Sequence, residues 1–210
     1  MTSKKMTKRD EESLKKKQYI CDIALELFRK YGYEKTTIAD ISKESGISNG
    51  SIYHFFGSKN GILNYALREL SDITLPEEHW NRDDCLPYDI IMEFLLYSAQ
   101  KWEEIGPEVA AHMTIPFLEE YFDAHGNYLI SMRGLTDLIQ YIQQCQKRKL
   151  FKTDISAYEA ANYIMLVARS LVTDWCSYHK QIGLCDKIAF IMPRIIRSFL
   201  PDNETFFENN

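Results

Sequence analysis

Long apolar runs are missing from this 210-residue chain. Its longest stretch without Asp, Glu, Lys or Arg is Ser45–Ser58, 14 residues that are half polar and include Gly46, Gly50 and Gly57. A bilayer span needs about 20 mostly apolar residues, so no membrane segment is expected. The opening MTSKKMTKRDEES is charged and has no apolar block, which argues against a secretory signal. Cysteine is sparse and scattered: Cys21, Cys85, Cys145, Cys176 and Cys185 form neither a disulfide framework nor a zinc cluster. A reducing cytoplasm is the expected compartment, and no metal site is expected. Strand signals are absent too, because no run alternates apolar and polar residues and neither Asn-Gly pair lies between strand patterns. Catalytic signatures find little support: there is no phosphate-binding P-loop and no H-E-x-x-H. The five histidines are dispersed without metal spacing. The chain is therefore expected to be no enzyme, with no catalytic residue and no cofactor.

What is present is a globular composition, 45% apolar and 26% charged, which excludes wholesale disorder. The net charge of −5 is unevenly spread. Residues 1–72 carry 13 basic and 10 acidic side chains, whereas residues 73–210 carry 12 and 20. Such asymmetry points to an interaction face on the more basic part.

The periodicity is helical throughout, so the expected fold class is all-α. The first dozen residues are Lys-rich and nearly devoid of apolar groups, which reads as a basic arm over 1–13. From Ser13 to Tyr31, Ile20, Ile23, Ala24, Leu27 and Phe28 follow the 3.6-residue period, and Gly32 stops the helix. Three short helices follow in quick succession. Thr36-Thr37, Ser48 and Ser58 are their expected caps, with Ile38, Ile41, Ile52, Phe55, Phe56, Ile62, Leu63, Ala66 and Leu67 turned inward. Pro76–Pro87 is polar and proline-bounded, a natural joint. Longer amphipathic helices are expected over about 88–105, 107–122, 126–150, 156–179 and 186–200.

A short helix, a glycine turn at Gly46 and a second short helix give the geometry of a helix-turn-helix. The second helix of such a unit enters the major groove N-terminus first, which calls for small polar residues at its outer start. Ser48, Asn49, Gly50 and Ser51 supply them. Tyr53 and His54 can reach phosphates or base edges, and Ser58-Lys59 combines a helix N-terminus with a cation.

Gly32-Tyr33, Thr36-Thr37-Ile38, Asp40-Ile41, Gly46-Ile47-Ser48, Gly50, Tyr53, Phe56, Lys59 and Leu63 resemble the N-terminal domain of TetR-family transcriptional regulators. The resemblance covers about residues 14–72 and implies a three-helix DNA-binding domain. It also implies a larger helical domain over 73–210 for ligand binding and dimerisation. By the family pattern, Thr36 and Thr37 contact phosphate, Ser48–Ser51 read the groove, and Tyr53, His54 and Lys59 make phosphate or edge contacts. Asn49 departs from the Lys, Arg, Pro or Thr more usual there, and an Asn can pair bidentately with adenine.

The implied partners are a double-stranded DNA operator, a second copy of the chain and a small-molecule effector. Candidate pocket residues are Phe94, Tyr97, Trp102, His112, Met113, Phe117, Tyr128, Met132, Tyr141, Met165, Trp175 and Tyr178, which together would suit a hydrophobic or aromatic ligand. Ala161 and Ala168 on one helix, with Ile188, Ile191, Ile195 and Phe199 on the next, are the candidate dimer interface. The competing reading is a protein-interaction or small-molecule-binding module in which the helix-turn-helix is structural.

Overall fold

The structure is a computed structural model that describes residues 7–82, 84–120, 133–177 and 182–201, without the side chains of 115–120. Every regular element among these residues is a helix: α1 (Lys8–Tyr31), α2 (Ile38–Ser45), α3 (Asn49–Phe56), α4 (Lys59–Ser71), α5 (Glu77–Trp80), α6 (Pro87–Ile105), α7 (Pro107–Glu120), α8 (Arg133–Lys147), α9 (Ala157–Ser177) and α10 (Leu184–Arg197). None is long and apolar enough to cross a membrane.

The caps explain most boundaries. Thr37, Ser48 and Ser58 each accept a hydrogen bond from the third backbone amide of the helix they open, as their spacing predicts. Helix α1 starts earlier than expected. Thr7 and Asp10 form a reciprocal capping box, so residues 8–13, read as arm, are the first turns of α1. Residues 1–6 of that arm lie outside the described residues. The start of the helix expected over 126–150 lies outside them too. Its end comes at Lys147, where Lys149 adopts a positive φ of 60° and the Leu150 amide turns back to the Cys145 carbonyl. Helix α10 begins two residues early because Glu103 of α6 accepts from the Cys185 amide at 3.1 Å and supplies a cap from another helix. It ends before residue 200, where Phe199 and Leu200 bond back three residues to Ile196 and Arg197.

The joint at Pro76–Pro87 is less polar in place than in sequence. Trp80 is buried against Phe94 and Tyr141, with ring centroids 5.3 and 5.4 Å away. His79 Nδ1 lies 2.5 Å from Glu93 Oε1, and Arg82 donates to the other oxygen of the same carboxylate. The segment is thus fastened to α6.

Two apolar cores result. One gathers Ile20, Ala24 and Phe28 of α1, Ile38 and Ile41 of α2, Ile52 of α3, and Ile62, Leu63, Ala66 and Leu67 of α4. Ile105, Val109 and Met113, from α6 and α7, complete it. The other lies among α5, α6, α8, α9 and α10. The N-terminal unit therefore sits on the larger bundle through shared apolar packing, and Arg29 adds a hydrogen bond of 2.5 Å to the Glu104 carbonyl.

Candidate nucleic-acid interface

Helix α3 owes its placement to a left-handed turn at Gly46 (φ 69°) and to Ser48, whose side chain accepts from the Ser51 amide at 3.3 Å. The Ser48 and Ser51 hydroxyls are 3.0 Å apart, so the two serines stiffen the start of the helix. Ile52 is fully buried beneath it. Burying Ile52 turns Asn49, Gly50, Tyr53 and His54 outward, a spacing of i, i+1, i+4 and i+5 that forms one face. Tyr53 is 52% exposed, an unusual state for a large aromatic side chain. The Cβ position of Gly50 has no heavy atom within 4 Å, so the backbone there is open to close approach.

Thr37 is exposed and caps α2. It forms a capping box with Asp40, whose carboxyl is held below its ordinary value by hydrogen bonds from the Thr37 hydroxyl and amide. Its neighbour requires a correction. Thr36 is only 2% exposed, and its hydroxyl donates to the carbonyls of Gly32 (2.9 Å) and Leu27 (3.3 Å). The expected phosphate contact from Thr36 is replaced by a structural role, because its hydroxyl is spent inside the α1–α2 turn. Lys59 is also committed. Its ammonium donates to the carbonyls of Tyr33 (2.7 Å) and Thr36 (3.1 Å) and lies 4.1 Å from the Tyr33 ring centroid. Lys59 ties the start of α4 to the α1–α2 turn.

Two features escaped sequence reasoning. A Cβ on Gly61 would fall well inside van der Waals contact with the Phe56 carbonyl oxygen, so only glycine allows α4 to pack this close to the end of α3. The signal was present as Gly57-Ser58-Lys59-Asn60-Gly61, but the contact depends on the angle between helices. Tyr33 stands between the units: it meets Phe28 edge-on at 5.0 Å and lies 4.7 Å from the ring of His112 on α7.

Among the described residues, the candidate pocket residues are not gathered around one space. Phe94, Tyr141 and Trp175 are buried in the core of the bundle, and Met165 packs against that core. Met113 belongs to the N-terminal core, His112 lies against Tyr33, and Trp102 touches both cores. Tyr97 faces solvent. Tyr128, Met132, Tyr178 and the Phe117 side chain lie outside the described residues.

The candidate dimer residues divide between the core and its rim. Ala161, Ala168 and Ile188 are buried within the subunit, and Ile191 and Ile195 pack against its core. Phe199 stacks on Phe151 at 5.9 Å. Along this stripe Ala161, Ala168 and Ile188 face the core, while Ile191, Ile195 and Phe199 stay partly exposed at its rim. The exposed apolar side chains of the same two helices are Tyr158, Tyr163, Leu166 and Phe190.

Burial pushes the thiols of Cys21 and Cys185 up to about 12 and that of Cys176 to about 11, so these sulfurs stay protonated and unreactive at neutral pH. No group of three His, Cys, Asp or Glu among the described residues could hold a metal.

Comparison with known proteins adds a sequence match and a fold match. Residues 20–66 match the family described as bacterial regulatory proteins, tetR family. The HTH-type transcriptional regulator BetI of Escherichia coli is 35% identical over 82 residues, 39% of this chain and 41% of that relative. The match thus spans well under half of the relative's length. Among solved structures, the MbdR regulator from Azoarcus sp. CIB superposes with a TM-score of 0.59 at 20% identity, covering 89% of this chain and all of that one. Thermus thermophilus FadR, a TetR-family transcriptional repressor in complex with lauroyl-CoA, gives 0.60 at 16% identity, covering 89% and 96%. At such identities these structures establish a shared fold.

Proposed function

We propose that this chain, which carries a TetR-family N-terminal domain at residues 20–66, is a ligand-responsive DNA-binding transcriptional regulator of the repressor type. The observation that carries the reading is the outward face of α3. Asn49, Gly50, Tyr53 and His54 stand free on a helix whose opposite side is locked into the core by Ile52. Such a helix fits the major groove with its N-terminus leading. Asn49 is the base-reading side chain, Gly50 permits close backbone approach, and Tyr53, His54 and Thr37 hold phosphates or base edges.

The chain acts as a homodimer in the cytoplasm. The dimer surface is the outer side of α9 and α10, where Leu166 is 54% and Phe190 69% exposed. Two-fold symmetry sets two copies of α3 in successive major grooves, roughly 34–36 Å apart. A ligand in the larger domain favours a separation that no longer fits, and its leverage equals its difference in affinity for the two states. Helices α4 and α6, which lead into and out of the joint, carry the change. No catalytic role is assigned.

The deciding experiment is selection of bound sequences from a random duplex pool at near-physiological salt. An enriched palindrome with half-sites about one helical turn apart supports the reading. Salt-sensitive binding without enrichment refutes it and favours a structural helix-turn-helix in an interaction module.

A further inference from the structure

Helix α8 carries a polar row of which the core uses only Tyr141. Arg133, Asp137, Gln140, Tyr141 and Gln144 recur at i, i+4, i+7, i+8 and i+11, a single face. Opposite that face stands the short helix α5, and between them lies a cleft of about 230 Å³. Trp80 and Tyr141 form its apolar wall, while Asn81, Gln140 and Gln144 bring carboxamides and Asp137 a carboxylate. That volume equals roughly eight water molecules at about 30 Å³ each, and lies below the roughly 300 Å³ at which pockets for drug-sized ligands begin.

The lining restricts the chemistry of an occupant. A carboxamide both donates and accepts, so three of them match groups that do the same, and hydroxyls are the simplest such groups. An apolar ligand would cover the amides and Asp137 without pairing them, a costly arrangement. An anion would meet Glu77 as well as Asp137, against only the exposed Arg133, whose Nε is already 3.7 Å from Asp137. The aromatic wall suits the C–H face of a small ring.

The cleft is also wired to the joint. Trp80 Nε1 donates to the Thr74 hydroxyl (3.1 Å), which donates to Asp137 Oδ2 (2.7 Å). One turn away, a Cβ on Gly134 would collide with the Ile73 carbonyl oxygen and the Phe94 ring, so the first turn of α8 lies directly against the chain leaving α4. An occupant of the cleft therefore bears on the residues from which α4 hangs.

We propose that the α5–α8 cleft is the effector site, and that its ligand is a small neutral polyhydroxylated molecule of about one sugar ring. The proposal rests on the ligand-responsive reading above and replaces the expected hydrophobic ligand with a polar one. Its action runs through Asp137 and Thr74 to the joint and then to α4.

The test uses the intact chain and two readouts, thermal unfolding and release of the selected duplex. The probes are D-glucose, D-galactose, D-mannose, D-ribose and myo-inositol, with laurate and ethanolamine as apolar and cationic controls. The expected result is a rise in unfolding midpoint of about 2 °C or more with at least one sugar or with inositol, accompanied by duplex release. The Gln140→Ala/Gln144→Ala variant, altered only at exposed helical positions, keeps its ligand-free midpoint and weakens the response at least about tenfold, as loss of paired hydrogen bonds requires. Silence from all five polyols overturns the proposal. So does a response to laurate or ethanolamine alone, a polyol response unchanged in the double variant, or binding that leaves the duplex in place. The unfolding readout needs no duplex, so it tests the cleft even if the pool selection fails.

Discussion

The N-terminal unit and the larger bundle use their side chains in opposite ways. In α1–α4 the polar residues singled out from sequence lie on the surface or in caps, apart from buried Thr36 and partly buried Lys59, and one buried isoleucine, Ile52, is enough to turn a face outward. In α6–α10 the aromatic residues that looked like a binding surface are, among those described, mostly the core itself. A short helix of eight residues has one inside and one outside, so its pattern reveals both. A long helix packed on several sides does not, because the same apolar stripe serves a neighbour, a pocket or a partner equally well.

The contrast can be broken most forcefully in the bundle. Phe94→Ala is expected to cost about 3–5 kcal/mol in chemical denaturation without any ligand present, as truncation of a fully buried aromatic does. A loss under 1 kcal/mol would return Phe94 to the pocket. The next effect belongs to two glycines of one unit. Gly61→Ala drives a methyl group toward the Phe56 carbonyl and should cost about 1–3 kcal/mol along with DNA binding. Gly50→Ala meets open space, so stability holds or rises by up to about 1 kcal/mol while duplex affinity falls. Equal thermal penalties for the two would show that α3 and α4 do not approach as described.

Lys59 and Tyr53 sharpen the comparison within the candidate interface. Lys59→Met strands the Thr36 carbonyl and leaves that of Tyr33 with only the Thr36 amide, and stability and DNA affinity should fall together, the former by about 1–3 kcal/mol. Tyr53→Ala should reduce affinity alone, because the side chain stands in solvent. A stable Lys59→Met protein with weakened, less salt-dependent binding would identify Lys59 as a phosphate contact.

The smallest effect is in acid. Asp10, Asp40 and Glu159 are each held below their ordinary values by hydrogen bonds from the Thr or Ser that they cap. A carboxyl depressed in the folded state adds stability above its unfolded value and loses it as pH falls through the folded one. Replacing Asp40 with Asn should therefore lower stability slightly above about pH 4 and leave it little changed in stronger acid, which flattens the acid limb of the stability curve. An unaltered acid limb would mean that the Thr37–Asp40 box does not hold in solution.

Much of the N-terminal unit was legible because its signals are local. Thr37, Ser48 and Ser58 cap within three residues, and Gly46 turns the chain where only a left-handed residue fits easily. Thr36 and Lys59 were less legible for the opposite reason. Whether a threonine hydroxyl meets water or the Leu27 carbonyl, and whether an ammonium faces solvent or the Tyr33 carbonyl, depends on residues 9 and 26 positions away. The early start of α1 was readable in Thr7 and Asp10, but the lysines around them masked it.

By itself, then, the order of residues determined an all-helical chain, the caps and turns of the helix-turn-helix, and the residues that share each helical face. Periodicity and capping act over one or two turns, and a sequence displays them directly. The tertiary structure decided which stripe faces a neighbour and which faces water. It also buried Thr36 and Trp80, tied Lys59 into place, and opened a polar cleft between α5 and α8. Those outcomes depend on crossing angles between helices far apart in the chain, and packing sets such angles only once every face has met its partner.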